Sequence, residues 1–293
     1  MSVPAHHLVI EPPAFEDGPF GPDLLAGAVA LVTGGGSGLG FGMAQGLAQA
    51  GAAVALLGRT LERTQAAAKR IAAMGGRAFA CSGDVRDPAA IAAAFDAAEA
   101  ALGPVTLLAN NAGANFPALA EAMSPNAWRA VTRIAIDGTF FASTEFARRR
   151  IAAGGGGAIV NNSAQYVWSG FPGDAHSAAA KAAIVTLTAE LAREWKPHGI
   201  RVNCIAAGFF PHADSTNGDD PTVVERLAAM MPMGRTGRMR ELSWAAAFLS
   251  SPLADGISGE TLVLDGAERT RRALMQPNFV PPRERTSIWG DVA

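Results

Sequence analysis

The chain has 293 residues, 49% of them hydrophobic and 17% charged, with a formal net charge of -2, which is ample for one large core. Its basic residues are dispersed, so no basic stripe marks a nucleic-acid surface, and no run of eighteen apolar residues offers a membrane span. Small molecules are therefore the expected partners. The two cysteines, Cys81 and Cys204, sit singly inside apolar runs and read as buried, reduced thiols of a cytoplasmic enzyme.

From Ala28 onward, short apolar runs alternate with alanine-rich stretches of helical periodicity. The runs AVALVT (28–33), AAVALLG (52–58), RAFACS (77–82) and VTLLAN (105–110) are separated by helices predicted to end near Ala50, Met74 and Leu102. AIVNNS (158–163), IRVNCIA (200–206) and ETLVLDG (260–266) complete seven strands. This is the βαβ rhythm of an α/β, single-domain Rossmann fold: a seven-stranded parallel sheet with helices on both faces. The glycine run at 154–157 ends the helix before the fifth strand. Residues 1–26, proline-rich and lacking the basic start and apolar core of a signal peptide, read as an extended N-terminal arm. Residues 27–267 read as the dinucleotide-binding domain, with a substrate lid over about 207–233. Residues 268–293 read as a C-terminal extension whose prolines argue against a long helix, with Phe279, Ile288 and Trp289 as anchors on the body or on a neighbouring subunit.

The first strand runs directly into Thr33-Gly34-Gly35-Gly36-Ser37-Gly38-Leu39-Gly40 and then a helix. Glycines there permit a tight turn and let backbone amides approach a pyrophosphate at the positive helix end, so Gly34, Gly36, Ser37, Gly38, Leu39 and Gly40 are the expected cofactor cradle. The second strand ends at Gly58-Arg59, where an acidic residue would meet the ribose hydroxyls of NAD. Arg59 suits a 2'-phosphate instead, which points to NADPH. Asp84, after the third strand, is placed to accept from an adenine amino group or to cap the helix near Pro88.

The remaining chemistry lies between Asn161 and Lys181. Ser177 and Lys181 are four apart and share a helix face. Tyr166, the only tyrosine in the chain, falls on the loop before that helix. Read without its surroundings, such a set is a packed aromatic and a solvated lysine. Together with TGGGSGLG, Asn110-Asn111-Ala112-Gly113 and the lysine, however, the chain resembles the short-chain dehydrogenase/reductase family from about Gly27 to Gly266. Most of that family has tyrosine four residues before the lysine, and here that position is Ser177. The 2,4-dienoyl-CoA reductase branch has the same SxxxK and takes its tyrosine from the preceding loop, as Tyr166 stands here. Met123 to Trp128 also matches, with Ser124 as N-cap and Pro125 at the first helical position.

The resemblance implies NADPH held by the glycine turn, Arg59, Asp84, Val85, Asn111, Ala112, Gly113, Lys181 and Gly208. It implies Tyr166, Asn115, Ser177 and Lys181 as catalytic residues: Tyr166 and Asn115 stabilise an enolate, Lys181 holds the ribose and biases Tyr166 toward losing its proton, and Ser177 orients Lys181 or the thioester. The implied substrate is an acyl-CoA thioester of fatty acid metabolism, a 2,4-dienoyl-CoA or related 2-enoyl-CoA, and the implied assembly is a homo-oligomer, a tetramer or dimer. Three features depart from the branch or remain without a role. Ala206 to Asp214 is apolar and then acidic where basic residues would face CoA. Arg235, Arg238, Arg240, Arg269, Arg271 and Arg272 are the cations left for its phosphates, and each also reads as a solvated surface arginine. His176 and His212 carry no assigned role, and no metal-ligand spacing accompanies them. A carbonyl reductase or alcohol dehydrogenase of the same family, and a non-catalytic NADP-binding scaffold, are the alternative readings.

Overall fold

The computed structural model describes residues 20–212 and 220–270. Among them seven strands form one parallel sheet: β1 (Val29–Thr33), β2 (Ala53–Gly58), β3 (Ala78–Ser82), β4 (Leu107–Asn110), β5 (Gly157–Ala164), β6 (Ile200–Ala207) and β7 (Thr261–Leu264). Their order is β3-β2-β1-β4-β5-β6-β7. The order reverses between β1 and β4, where open α/β sheets form a ligand crevice at the strands' carboxyl ends. Side chains alternate across the sheet as a two-residue period requires. Ala30, Val32, Val54 and Leu56 enter one buried cluster, and Val29, Leu31, Ala55 and Leu57 enter the other.

The connecting helices are α1 (Gly38–Gln49), α2 (Leu61–Ala73), α3 (Pro88–Leu102), α4 (Pro125–Thr132), α5 (Gly138–Ala152), α6 (Tyr166–Ser169), α7 (Ala175–Trp195), α8 (Pro221–Met230) and α9 (Met239–Ser250). A single π-helical turn, Arg133–Asp137, joins α4 to α5. Ser124 caps α4 as its sequence indicates, accepting from the Ala127 amide at 3.1 Å. At α3 the cap is Asp87, which accepts from Ala89, so the capping role read for Asp84 is corrected: Asp84 is one turn too early.

Two further expectations change. The close of the N-terminal arm is not extended, because residues 21–28 form successive turns and Leu25 is buried in the core, its amide bonded to Ala50 O at 2.7 Å. Tyr166 is not on an open loop; it begins the four-residue helix α6, which is too short to leave a periodic signal. Residues 1–19, Ala213, Asp214, Arg271, Arg272, Phe279, Ile288 and Trp289 lie outside the described residues. Both cysteines are free and buried, and burial pushes each thiol up to about 11.

The glycine turn is seated by the contact between α1 and α9. A Cβ on Gly46 would sit 2.4 Å from Ser243 O, and Ser243 Oγ donates to Gly42 O at 2.6 Å. Gly46→Ala is therefore expected to destabilise the fold by about 1–3 kcal/mol through forced separation of the two helices. Urea unfolding measures this, and an unchanged midpoint contradicts such close packing.

Candidate active site

A cleft of about 670 Å³ opens at the carboxyl ends of β1, β2, β4 and β5. Its floor is a chain of buried amides. Asn110 Nδ2 donates to Ser143 Oγ and to Asn161 Oδ1, both at 2.9 Å, and Asn161 Nδ2 donates to Thr188 Oγ1 at 2.9 Å. Asn162 Nδ2 donates to Asn111 Oδ1 at 2.9 Å. Thr33 Oγ1, at the end of β1, accepts from the amides of Asn111 and Ala112 at 3.0 and 3.1 Å. Removing any one member leaves a buried polar group unsatisfied, so the network fixes how the β1 and β4 loops meet.

At one end of the cleft, Gly34 and Gly35 donate their amides to Leu57 O, folding the glycine turn back over β2. Gly34 has φ of +66° and its absent Cβ admits Asn111 Nδ2 at 3.0 Å. Gly40 does not line the cleft: a Cβ there would stand 2.3 Å from Gly34 O, so its place is in helix-to-turn packing. Gly36, Ser37, Gly38 and Leu39 do line it, at the N-terminus of α1, where Ser37 makes no side-chain cap. Arg59, exposed, and Val85 line the same end. Asp84 is there too, but its carboxylate is gripped by Arg86 at 2.5–3.1 Å and held down at about 2. Gly208, at the end of β6, bonds its amide to Leu264 O at 2.8 Å and lets Asp265 approach within 2.8 Å of where a Cβ would be.

At the other end, Asn111, Ala112, Gly113, Asn115, Tyr166, Ser177 and Lys181 all face one space. Lys181 Nζ donates to Asn162 O at 2.6 Å, and its ammonium lies deep enough for desolvation to pull its pKa to about 8. The Tyr166 hydroxyl is 2.8 Å from Ser177 Oγ. A phenol from α6 thus reaches the place beside Ser177, whose hydroxyl is bonded to Tyr166. Burial raises the Tyr166 pKa to about 12, Ser177 offsets this and the Asp174 charge adds to it. The expected acidification by Lys181 is not among these influences. Tyr166 is consequently a neutral hydrogen-bond donor across the physiological range.

Two cleft residues, Asp174 and His212, and the buried His176 beside them carry no sequence signal of their own. Asp174, buried just before α7, accepts from the Asn115 side chain, while burial draws its carboxyl pKa upward. The loops that carry this pair are tied by Ala118 N to Gly173 O at 2.8 Å. An amide has two donor hydrogens, so Asn115 retains one for the cleft. Buried His176 stacks edge-on against Phe116 at 4.7 Å, and the His212 ring lies against Gly38. Among the described residues no group of side chains is arranged to hold a metal ion, and no helix is long and apolar enough to cross a membrane.

The residues present fit a dinucleotide. Gly34, Gly36, Ser37, Gly38 and Leu39 line the cleft beside the N-terminus of α1, and Asn162 Oδ1 is a buried acceptor at the cleft without a partner among the described residues. The sequence profile of the enoyl-(acyl carrier protein) reductase family matches residues 34–267, the span that builds this cleft. The chain belongs to the short-chain dehydrogenase/reductase family. It is 38% identical over 250 residues to the peroxisomal 2,4-dienoyl-CoA reductase [(3E)-enoyl-CoA-producing] of Rattus norvegicus, covering 84% of this chain and 85% of that one. The enzyme of the same name from Danio rerio is 36% identical, covering 84% and 83%. A gluconate 5-dehydrogenase from Burkholderia cenocepacia, solved with NADP and tartrate, superposes with a TM-score of 0.79 at 35% identity, covering 86% of this chain and 99% of that one. The chain is an oxidoreductase of this family.

The Lys181 environment carries a pH signature. Its folded pKa of about 8 lies below the ordinary 10.5, so between those values the unfolded chain binds more protons and stability rises with pH. Relative to Lys181→Met, the cofactor-free protein should gain about 1–2 kcal/mol from pH 8 to 10.5, after discounting for the watered cleft. Chemical unfolding at several pH values reads this difference, and a parallel pH dependence in the two proteins contradicts it.

Proposed function

We propose that this oxidoreductase uses NADPH to reduce an α,β-unsaturated acyl-CoA thioester, a 2,4-dienoyl-CoA or a related 2-enoyl-CoA. The observation that carries the reading is the Tyr166–Ser177 hydrogen bond of 2.8 Å in the cleft shared with Asn115 and Lys181. It replaces the family's usual tyrosine by a phenol delivered from the preceding turn, in a chain whose relatives include named 2,4-dienoyl-CoA reductases.

In this reading Gly34, Gly36, Ser37, Gly38 and Leu39 cradle the pyrophosphate, with Gly40 supporting the turn. Arg59 faces the 2'-phosphate, and Asp84 and Val85 border the adenine. Asn111, Ala112 and Gly113 flank the nicotinamide half, and Lys181 holds its ribose. When bound, NADPH supplies the hydride. A dienoyl thioester that accepts it at the far end of the conjugated system pushes an electron pair onto the thioester oxygen. Tyr166 Oη and the free Asn115 amide hydrogen donate to that oxygen, each contributing about 3–4 kcal/mol to the charged state in a low dielectric. The high Tyr166 pKa suits this role, because the phenol keeps its proton while it donates. Protonation at the α-carbon by a proton drawn from water then leaves a 3-enoyl thioester, the outcome given in the names of the rat and zebrafish relatives. Ser177 keeps the phenol in place, and Phe116, Pro117 and Ile134 give the acyl chain an apolar wall.

Arg235, a candidate for the CoA phosphates, is paired with Glu241 at 2.6 Å. Arg269 lies near Asp265 and over the Trp168 ring. Neither is offered to a phosphate, Arg240 lies over the Trp244 ring at 5.6 Å, and Arg271 and Arg272 lie outside the described residues. The test is NADPH consumption with a medium-chain 2,4-dienoyl-CoA, run beside Tyr166→Phe and beside NADH. The parent should turn over with preference for NADPH, and the variant should lose about a hundredfold in kcat while binding NADPH as the parent does. An inert parent that still binds NADPH overturns the thioester assignment.

A further inference from the structure

α6 is too short to hold its own shape. It spans four residues and closes with Gly170 N bonded to Tyr166 O at 2.8 Å, and a single helical turn is not stable alone in water. Its orientation must come from outside, and the residue before the tyrosine shows where. Gln165 is buried and is held at three points. Its backbone amide donates to Ala207 O at 3.0 Å, its Oε1 accepts from Ser169 Oγ at 3.0 Å, and its Nε2 donates to Glu268 Oε2 at 3.0 Å. The next residue, Arg269, spreads its guanidinium over the Trp168 ring at 5.5 Å. Asp265 anchors the far side, accepting from the amides of Ala267 and Arg269 at 2.9 and 3.0 Å. The turn that follows β7 therefore grips α6 on both flanks of Tyr166. Glu268 and Arg269 lie just past the residues that the family profile matches, so this grip is built outside the part of the chain common to the profile.

We propose that Glu268 and Arg269 are positioning residues that set the Tyr166 phenol against Ser177, so that the start of the C-terminal extension is part of the active site's support. This rests on the reading of Tyr166 as the donor to substrate. The Glu268 carboxylate is a charge-assisted acceptor for Gln165, stronger than a neutral one, and Arg269 covers the half-exposed face that solvent would otherwise enter. Loosening either lets α6 swing, and displacing a catalytic group by about 1 Å is enough to cost up to a hundredfold in rate.

The test exploits the single tyrosine. Glu268→Ala removes the acceptor, while Glu268→Gln keeps an oxygen for Gln165. Each is jumped rapidly to about pH 11 and tyrosinate absorbance is read before unfolding. Burial holds the parent phenol at about 12, so about a tenth should ionise in the burst, whereas a loosened phenol titrating near the ordinary 10 should be about nine-tenths ionised. Expected are a large burst and a kcat lower by about ten- to a hundredfold in Glu268→Ala, unchanged NADPH affinity, and near-parent behaviour in Glu268→Gln. A parent-like burst and kcat in Glu268→Ala overturns the proposal. So does equal damage in Glu268→Gln, or joint loss of NADPH affinity and thermal stability in Glu268→Ala. If the burst moves as expected while no acyl thioester is reduced by the parent, the positioning stands and the substrate assignment falls.

Discussion

The 2.8 Å hydrogen bond between Tyr166 and Ser177 joins two elements with no local reason to meet, and the geometry of the site depends on it. A serine cannot replace a tyrosine as donor to a distant oxygen, because its hydroxyl is too close to the backbone. It can instead receive a phenol brought from elsewhere. That requires α6 to stop at a defined angle, α7 to present Ser177 and Lys181 on one face, and the loop after β4 to bring Asn115 opposite. Each condition is met by a separate set of contacts: the grip of the β7 turn on Gln165 and Trp168, the bond from Ser163 Oγ to Lys181 O at 2.8 Å, and the tie between Ala118 and Gly173.

Beneath these contacts the buried amide chain from Asn110 to Asn162 does two kinds of work. It satisfies polar groups that would otherwise be costly at the end of an apolar sheet, and it fixes the carbonyl of Asn162 to which Lys181 donates. Among the described residues Lys181 has no carboxylate partner, and desolvation dominates its pKa. Desolvation by burial likewise raises the Tyr166 pKa. With a pKa of about 8 Lys181 is still mainly an ammonium near neutrality, whereas the Tyr166 phenol, at about 12, stays neutral. In the proposed reduction, negative charge growing on a thioester oxygen would meet the neutral donors Tyr166 and Asn115 already placed to receive it, an arrangement that lowers a charged transition state. Asp174 is the acid beside them, and its upward pKa shift together with the Asn115 hydrogen bond limits how much negative charge it adds.

Much of this architecture is legible in the sequence. The seven strands follow from two-residue alternation within short apolar runs. The glycine turn follows from its place between strand and helix. The triad of Tyr166, Ser177 and Lys181 follows from a resemblance resting on specific residues. What escaped did so for physical reasons. Four residues of α6 are fewer than one hydrophobic repeat, so the helix is invisible in pattern. Asp84 and Asp87 both suit a cap, and only backbone geometry chooses Asp87. Gly208 looks like a cofactor glycine, and its missing side chain also serves the approach of β7. Asp174 and Glu268 act through partners far away in sequence, 59 residues from Asn115 in the first case and 103 from Gln165 in the second, and such pairs leave no local trace.

The proposed reduction requires hydride to enter the conjugated chain of a thioester rather than a carbonyl carbon. The most direct measurement is to supply NADPH deuterated at the transferable position together with a 2,4-dienoyl-CoA in ordinary water, and to locate the label in the acyl product by mass spectrometry. One deuterium at the far end of the former diene, with an unlabelled hydrogen at the α-carbon, is the predicted result. Absence of label from the acyl chain, with label appearing instead on the carbinol carbon of an added ketone, would contradict it.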